Sequence, residues 1–291
     1  MRETQATILL FLTSLIWGFS FVAQVSGMDY LGPFAFNAAS FFVGAASLVP
    51  VILATDRRPV DWRGLVKPAL VCGIVLFAAS ALQQIGVSLT GSAGKAGFLT
   101  SLYIILVPIF GIFVKRRAEL RVWVGAALAL VGSYFLCVKA GEGLGGLTAG
   151  DVLIFLGAFF WAGHILVIDR YGPSVPPLWL SFGQFVFNGI LCVPIAHFTG
   201  EQAAPAQLLG AIGPILYRGL GAIGLSYTLQ IIGQRHVAPG KAAVIFSLES
   251  VFSVLGGALL LQEIMTGRSY AGCALIFAGI LAVQVKPRAP R

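Results

Sequence analysis

"GKAAVIFSLESVFSVLGG" occupies Gly240–Gly257, and "GKAGFLTSLYIILVPIFG" occupies Gly94–Gly111. The two stretches lie 146 positions apart. Both open Gly-Lys-Ala, both place Ser-Leu seven residues further on, and both are otherwise almost wholly apolar or small. Their agreement bears on the fold, because it marks a duplication. Their one sharp difference bears on function: where the first has Tyr103, the second has Glu249, with no other charged residue between Lys241 and Glu263.

The duplication extends along the chain. At a shift of 144, Trp17 matches Trp161 and Val49–Pro50 matches Val193–Pro194. At 146, Ser80 matches Ser226 and Gln84–Ile85 matches Gln230–Ile231, and at 147, Gly125 matches Gly272 and Gly132 matches Gly279. Matches that keep their order with so little drift divide the chain into halves, 1–144 and 145–291.

Composition says where those halves reside. Of 291 residues, 58% are hydrophobic before 36 glycines are counted, and only 10% are charged. A soluble domain is about 45–50% apolar with glycine included and about 25% charged. No soluble interior hides this much apolar surface, so much of it faces lipid. About twenty apolar residues cross a bilayer as a helix, and ten runs qualify: 6–26, 32–54, 68–88, 95–114, 121–138, 151–168, 177–198, 211–233, 239–261 and 268–285. The first is too long for a signal peptide and lacks a small-x-small cleavage pattern, so it reads as a retained span. The expected fold is therefore an all-α membrane protein of ten transmembrane helices.

Orientation follows from Lys and Arg, which favour cytoplasmic loops. Of the 19, fifteen fall on the face that holds both termini and three (Lys95, Lys139, Arg268) on the other; Arg218 lies within a span. The sequence thus predicts a multi-pass protein of a bacterial inner-membrane type with both termini cytoplasmic. Because five spans per half is an odd number, the second half enters from the opposite side, giving two inverted five-helix repeats. Secondary transporters recur in this architecture, with binding near the midplane between repeats. "GEGLGG" at 141–146 matches G-x-G-x-x-G, but no strand precedes it; it reads as the linker between halves.

Five plus five spans, "IWGFSF" in the first helix, "FWAGHI" in the sixth and "GCALIFAGI" in the last resemble the drug/metabolite transporter superfamily, EamA type. The resemblance covers nearly the whole chain. It implies a small-molecule carrier with a central cavity between the halves, often an exporter of amino acids or other metabolites.

An ionisable group inside a span marks a functional site by default, because it is costly there. Glu249 lies ten residues past Pro239, about 15 Å into its helix, on a face with Ala242, Ser253 and Gly256. Small and polar neighbours indicate a face turned to protein or a cavity. Burial disfavours the charged form of a carboxyl, so Glu249 reads as a proton-coupling site or an anchor for a substrate amine; a structural carboxylate bonded between helices is the other reading. Arg218 sits about 10 Å in from the opposite face and is placed to pair with Glu249, to hold a substrate carboxylate, or to snorkel outward. His164 follows Trp161 by one turn, with Ser20 as its repeat partner. Uncharged candidates for the cavity are Gln84 and Gln230, Ser101 and Ser247, Tyr103 and Tyr227, with Trp17 and Trp161 at the repeat interface. Thr13, Trp17, Ser20 and Gln24 form a polar stripe along the first helix. Pro108 is expected to kink or break the fourth helix.

Other functions fare worse. There is no G-x-x-x-x-G-K-[ST] and no room for a nucleotide-binding domain, so energy would come from a proton or solute gradient. An intramembrane lipid-modifying enzyme would want clustered carboxylates or histidines, whereas Asp29, Asp56, Asp61, Asp151 and Asp169 all lie at span ends or in loops. A channel would carry a ring of like charges or a carbonyl filter, and neither motif is present. Cys72, Cys137, Cys192 and Cys273 are scattered through apolar runs, giving no disulfide framework or metal site. The reading is a secondary transporter, not an enzyme, without cofactor or metal. Its partners are a small-molecule substrate and the lipid bilayer, not nucleic acid, and monomer and homodimer both remain open.

Overall fold

The structure, a computed structural model, describes residues 1–55, 61–115, 118–137, 148–262 and 264–284. Ten long helices follow one another: α1 Glu3–Gly27, α2 Pro33–Thr55, α3 Trp62–Thr90, α4 Ala93–Phe113, α5 Leu120–Cys137, α6 Ala149–Tyr171, α7 Pro177–Phe198, α8 Ile212–Gln234, α9 Pro239–Leu260 and α10 Gly267–Gln284. Among the described residues nine are long and apolar enough to cross a membrane, and α5 is a shorter apolar helix. A short helix at Pro205–Gly210 precedes α8. Among the described residues there are no strands. The linker at 141–146 and the boundary between the halves lie outside the described residues.

Local chemistry sets the ends of these helices. Pro33, Pro177 and Pro239 open α2, α7 and α9, where a missing N–H costs nothing. Asp61 caps α3 by accepting from the Gly64 amide at 3.1 Å, which starts that helix well before the apolar run beginning at 68. Thr148 and Asp151 form a reciprocal capping box at α6. Gly91, at φ 62°, ends α3 in the left-handed conformation that glycine adopts without penalty.

Apolar side chains cover the outside as well as the core: Leu53, Phe113, Leu259 and Leu281 are all exposed. Polar ones lie inside, among them Gln24, Asn37, Gln84, Asn188 and Glu249. This is the arrangement of a helical bundle in lipid, where packing and buried hydrogen bonds hold helices together in place of a hydrophobic drive.

α5 packs on α10, α2 on α7 and α4 on α9; α3 packs on α6 as α1 packs on α8, and α4 packs on α6 as α9 packs on α1. Bare backbone permits the closest crossings. A Cβ on Gly279 would meet the Gly125 carbonyl at 2.6 Å, and one on Gly18 would meet Phe252 Cβ at 2.3 Å, so α5–α10 and α1–α9 both cross backbone to backbone.

Two helices are interrupted. α4 breaks at Leu102 and α9 at Ser247, one residue apart in the repeat register. Ser101 and Ser247 each turn the hydroxyl back to a carbonyl of the preceding turn, Phe98 at 2.7 Å and Val244 at 2.6 Å. Pro108 lies six residues beyond the α4 break, and α9 breaks with no proline near it. A proline is thus not needed for such a break, and side-chain competition for backbone carbonyls accompanies both. The middle of α8, Tyr217–Leu225, is wound as a π-helix. The Trp17 indole donates to the Ala222 carbonyl within it at 2.9 Å, and Ser226 Oγ to the Gly221 carbonyl at 3.0 Å, so carbonyls loosened by the wider winding find donors.

Candidate substrate site

At the centre, α1, α3, α4, α6, α8 and α9 enclose a cavity whose volume open to water centres is ≈ 40 Å³. One water needs about 10–15 Å³ by this measure, so the space as it stands holds a few waters. Glu249, Tyr103, Arg218, Tyr227, Trp17 and Trp161 line it together with Ser20 and Gln230.

One wall is a carboxylate. Glu249, 3% exposed, accepts a hydrogen bond from the Tyr103 hydroxyl at 2.8 Å. The two residues occupy the same position of their halves, so the difference between the duplicated stretches becomes a contact. The α4 and α9 breaks bring these positions together, because each falls one or two residues before them.

A second wall is a cation. Arg218, 5% exposed, donates to Asn37 Oδ1 at 2.5 Å and lies over the Phe36 and Phe41 rings, 5.1 and 5.8 Å from their centroids. It points inward and does not snorkel. Asn37 passes the contact on to the Ser80 carbonyl at 3.2 Å, and Asn188 donates to Ser80 Oγ at 3.0 Å. Among the described residues Arg218 and Glu249 make no ion pair, with each other or with any other group.

Between them stands an aromatic cluster. Tyr227 packs against Trp17 at 4.9 Å and stacks on Trp161 at 6.2 Å, while Phe246 closes on Trp17 at 5.3 Å. The remaining wall is an amide chain. Gln83 accepts from Trp161 Nε1 at 2.7 Å and from Thr100 Oγ1 at 3.1 Å, and donates to Gln24 Oε1 at 2.8 Å. Gln24 in turn reaches Ser20 Oγ at 3.4 Å.

Four of the singled-out residues sit elsewhere. Gln84 binds the Gln24 carbonyl at 3.3 Å and glues α3 to α1. Ser101 and Ser247 serve the two helix breaks. His164 is fully buried behind the cavity, 2.9 Å from Gln184 Oε1 and edge-on to Tyr227. Conversely, Gln83, Thr100 and Phe21 line the cavity without having been singled out. Gln84 has a repeat partner in Gln230, and that match drew attention away from its neighbour; a helix turns about 100° per residue, so only one of two adjacent amides faces inward. Among the described residues no cluster of His, Cys, Asp or Glu forms a metal site.

A many-spanning helical protein with a small polar and aromatic cavity at its centre belongs among solute-handling membrane proteins. The profile of the EamA-like transporter family matches this chain twice, over residues 4–138 and 148–284, and the chain belongs to that family. An uncharacterized transporter of Archaeoglobus fulgidus is 31% identical over 287 residues, covering 98% of this chain and 88% of the relative. A Salmonella typhimurium protein named "Probable amino-acid metabolite efflux pump" is 25% identical, covering 92% and 91%. A solved crystal structure shares the fold at a TM-score of 0.77 and 21% identity, over 98% of this chain and 97% of the other. The relatives are named transporters or efflux pumps, which points to a protein that is not an enzyme.

Proposed function

We propose that this protein is a secondary transporter that exports a small metabolite of amino-acid or amine type across the inner membrane by alternating access. Its working parts are two inverted five-helix repeats, 1–144 and 145–291, with both termini in the cytoplasm. The observation that carries the reading is a central cavity with a carboxylate on one wall and a guanidinium on another, neither in an ion pair among the described residues, and aromatic rings between. An α-amino acid offers an ammonium to Glu249, a carboxylate to Arg218 and a side chain to the ring cluster. The name of the Salmonella relative fits that substrate class. Two family matches in tandem, and helix contacts that map onto one another when the halves are exchanged, support the repeat architecture. A cavity with space for only a few waters calls for walls that part to admit solute, which is what rocking of one repeat against the other supplies.

Glu249 is also the proton-coupling group of this reading. The carboxyl exchanges a proton with one side of the membrane when the cavity opens there, and the substrate ammonium competes for the same oxygens. The test puts purified protein into sealed vesicles with a mixed pool of amino acids, amines, nucleobases and small drugs. Uptake is read by mass spectrometry, with and without a pH gradient, for wild type and Glu249→Gln. Accumulation of amino acids that needs the gradient in wild type and is lost in the variant, with or without the gradient, is the expected result. Identical behaviour of the two proteins would remove Glu249 from the mechanism, and accumulation of some other solute class would replace the substrate.

A further inference from the structure

Lys95 and Lys241 are repeat partners, each in the first turn of its helix, α4 or α9, and each eight residues before the cavity group Tyr103 or Glu249. Both find a carboxylate at the same distance. Lys95 Nζ lies 2.7 Å from Asp151 Oδ2, in the first turn of α6. Lys241 Nζ lies 2.7 Å from Glu3 Oε1, the first residue of α1. Each pair ties the start of the fourth helix of one half to the start of the first helix of the other. Because successive helices run in opposite directions, the two pairs sit on opposite faces, each about 12 Å of helix from the cavity group that follows its lysine.

The four helices so tied carry most of the cavity wall: Trp17 and Ser20 on α1, Thr100 and Tyr103 on α4, Trp161 on α6, Glu249 on α9. On the face of the Lys241 pair, a cleft of ≈ 440 Å³ for water centres is lined by both Lys241 and Glu3, with Val107, Pro108 and Lys115. The same measure gives ≈ 40 Å³ for the central cavity. The ion pair therefore lines a wide, charged cleft at the start of α1 and α9, two helices that further along carry Trp17, Ser20 and Glu249 into the much smaller cavity.

We propose that Lys241–Glu3 and Lys95–Asp151 are a matched pair of latches, one closing the central cavity toward the face of the N-terminus and the other toward the opposite face. The proposal rests on the alternating-access reading and adds to it the groups that hold each gate. Partial exposure suits a latch. Each pair keeps one member in contact with water, Lys95 at 35% and Glu3 at 48% accessible, so that member has solvent to move into when the pair opens. The two latches also differ in build. Asp151 is wholly buried and accepts from the Thr148 amide at 2.7 Å, so its position is fixed and Lys95 is the part that lets go. On the other face Lys241 is the more buried member, 16% against 48%, and Glu3 is the part that lets go.

The experiment needs no substrate, so its failure is distinct from failure of the transport reading. The full chain, with Cys72, Cys137, Cys192 and Cys273 replaced by Ala, receives one reporter in the cavity wall, Ser20→Cys. It is reconstituted into vesicles of known sidedness and treated with a membrane-impermeant thiol reagent from one face at a time. Lys241→Gln is expected to raise the labelling rate from the N-terminal face at least about two-fold, the scale of a weak ion pair, and to leave the opposite face unchanged. Lys95→Gln is expected to do the reverse. The exchanged pair Glu3→Lys with Lys241→Glu is expected to return the rate to that of the parent. Unchanged rates in both single variants, a rise from both faces at once, or a failed return in the exchanged pair would overturn the proposal.

Discussion

A carboxylate and a guanidinium that share one buried cavity without touching are the residues on which most rests. Removal of the Tyr103 hydroxyl in Tyr103→Phe takes from Glu249 its one side-chain donor among the described residues; a buried polar group left without its partner costs about 1–3 kcal/mol, and thermal unfolding in detergent is expected to register a loss of that size. Arg218→Gln keeps a donor for Asn37 but removes the charge. If the guanidinium holds a substrate carboxylate, KM for an amino acid is expected to rise about ten-fold or more, as for loss of a charge-assisted bond, while uptake of a simple amine is spared. The neighbouring amides give a sharper contrast. Gln83 makes three side-chain hydrogen bonds on the cavity wall, and Gln84 makes one to backbone between helices. Gln83→Leu is expected to reduce uptake strongly and Gln84→Leu to reduce it little, both measured in the same vesicles. Sequence matching favoured Gln84 over Gln83, because a repeat match records shared ancestry of a position and not the direction in which its side chain points.

Among the elements, the helix breaks and the close crossings decide how that cavity is shaped. A repeated Ser-Leu step interrupts α4 and α9 at nearly the same place, and the two residues that follow the breaks, Tyr103 and Glu249, meet across the cavity. Pro108 was the visible irregularity in the sequence, yet it follows the break by six residues. Membrane helices accommodate proline where neighbours and local adjustments supply the lost bonding. The crossing of α1 over α9 depends on Gly18, whose missing side chain lets Phe252 and the Glu249 carbonyl approach. Gly18→Ala is expected to destabilise by about 1–3 kcal/mol, the usual cost of overpacking. Gly213→Ala, where an added Cβ meets nothing within 4 Å, is the control expected to be neutral or slightly stabilising. Both are read from thermal unfolding of the purified protein. The π-wound turn of α8 had no such visible signal: "YRGLGAIGL" contains three glycines, but the donor that meets its Ala222 carbonyl, Trp17, comes from another helix.

For the whole molecule, orientation is the property most directly open to test. Fifteen Lys and Arg residues against three predict that reporter proteins fused to either end are active in the cytoplasm. A reporter inserted between Thr199 and Ala204, in the connection from α7 to α8, is expected to be active on the far side. The opposite pattern would invert the protein in the membrane and turn the faces of the two latches with it.

The sequence by itself determined the membrane setting, the apolar runs that became helices, the duplication and the family, since hydropathy, charge bias and repeated motifs are properties of the chain read in one dimension. It also exposed Glu249 and Arg218, because a charge in an apolar run is conspicuous wherever the helix turns. The tertiary structure alone decided that these two form no ion pair among the described residues, that Gln83 and not Gln84 faces the cavity, that His164 lies behind it, and that Lys95 and Lys241 close on carboxylates more than 50 residues distant. The physical reason is the rotation and mutual approach of helices: which of four or so faces a residue presents, and what lies opposite, is fixed by backbone contacts such as Gly18 on Phe252 and Gly125 on Gly279, made between segments far apart in the chain.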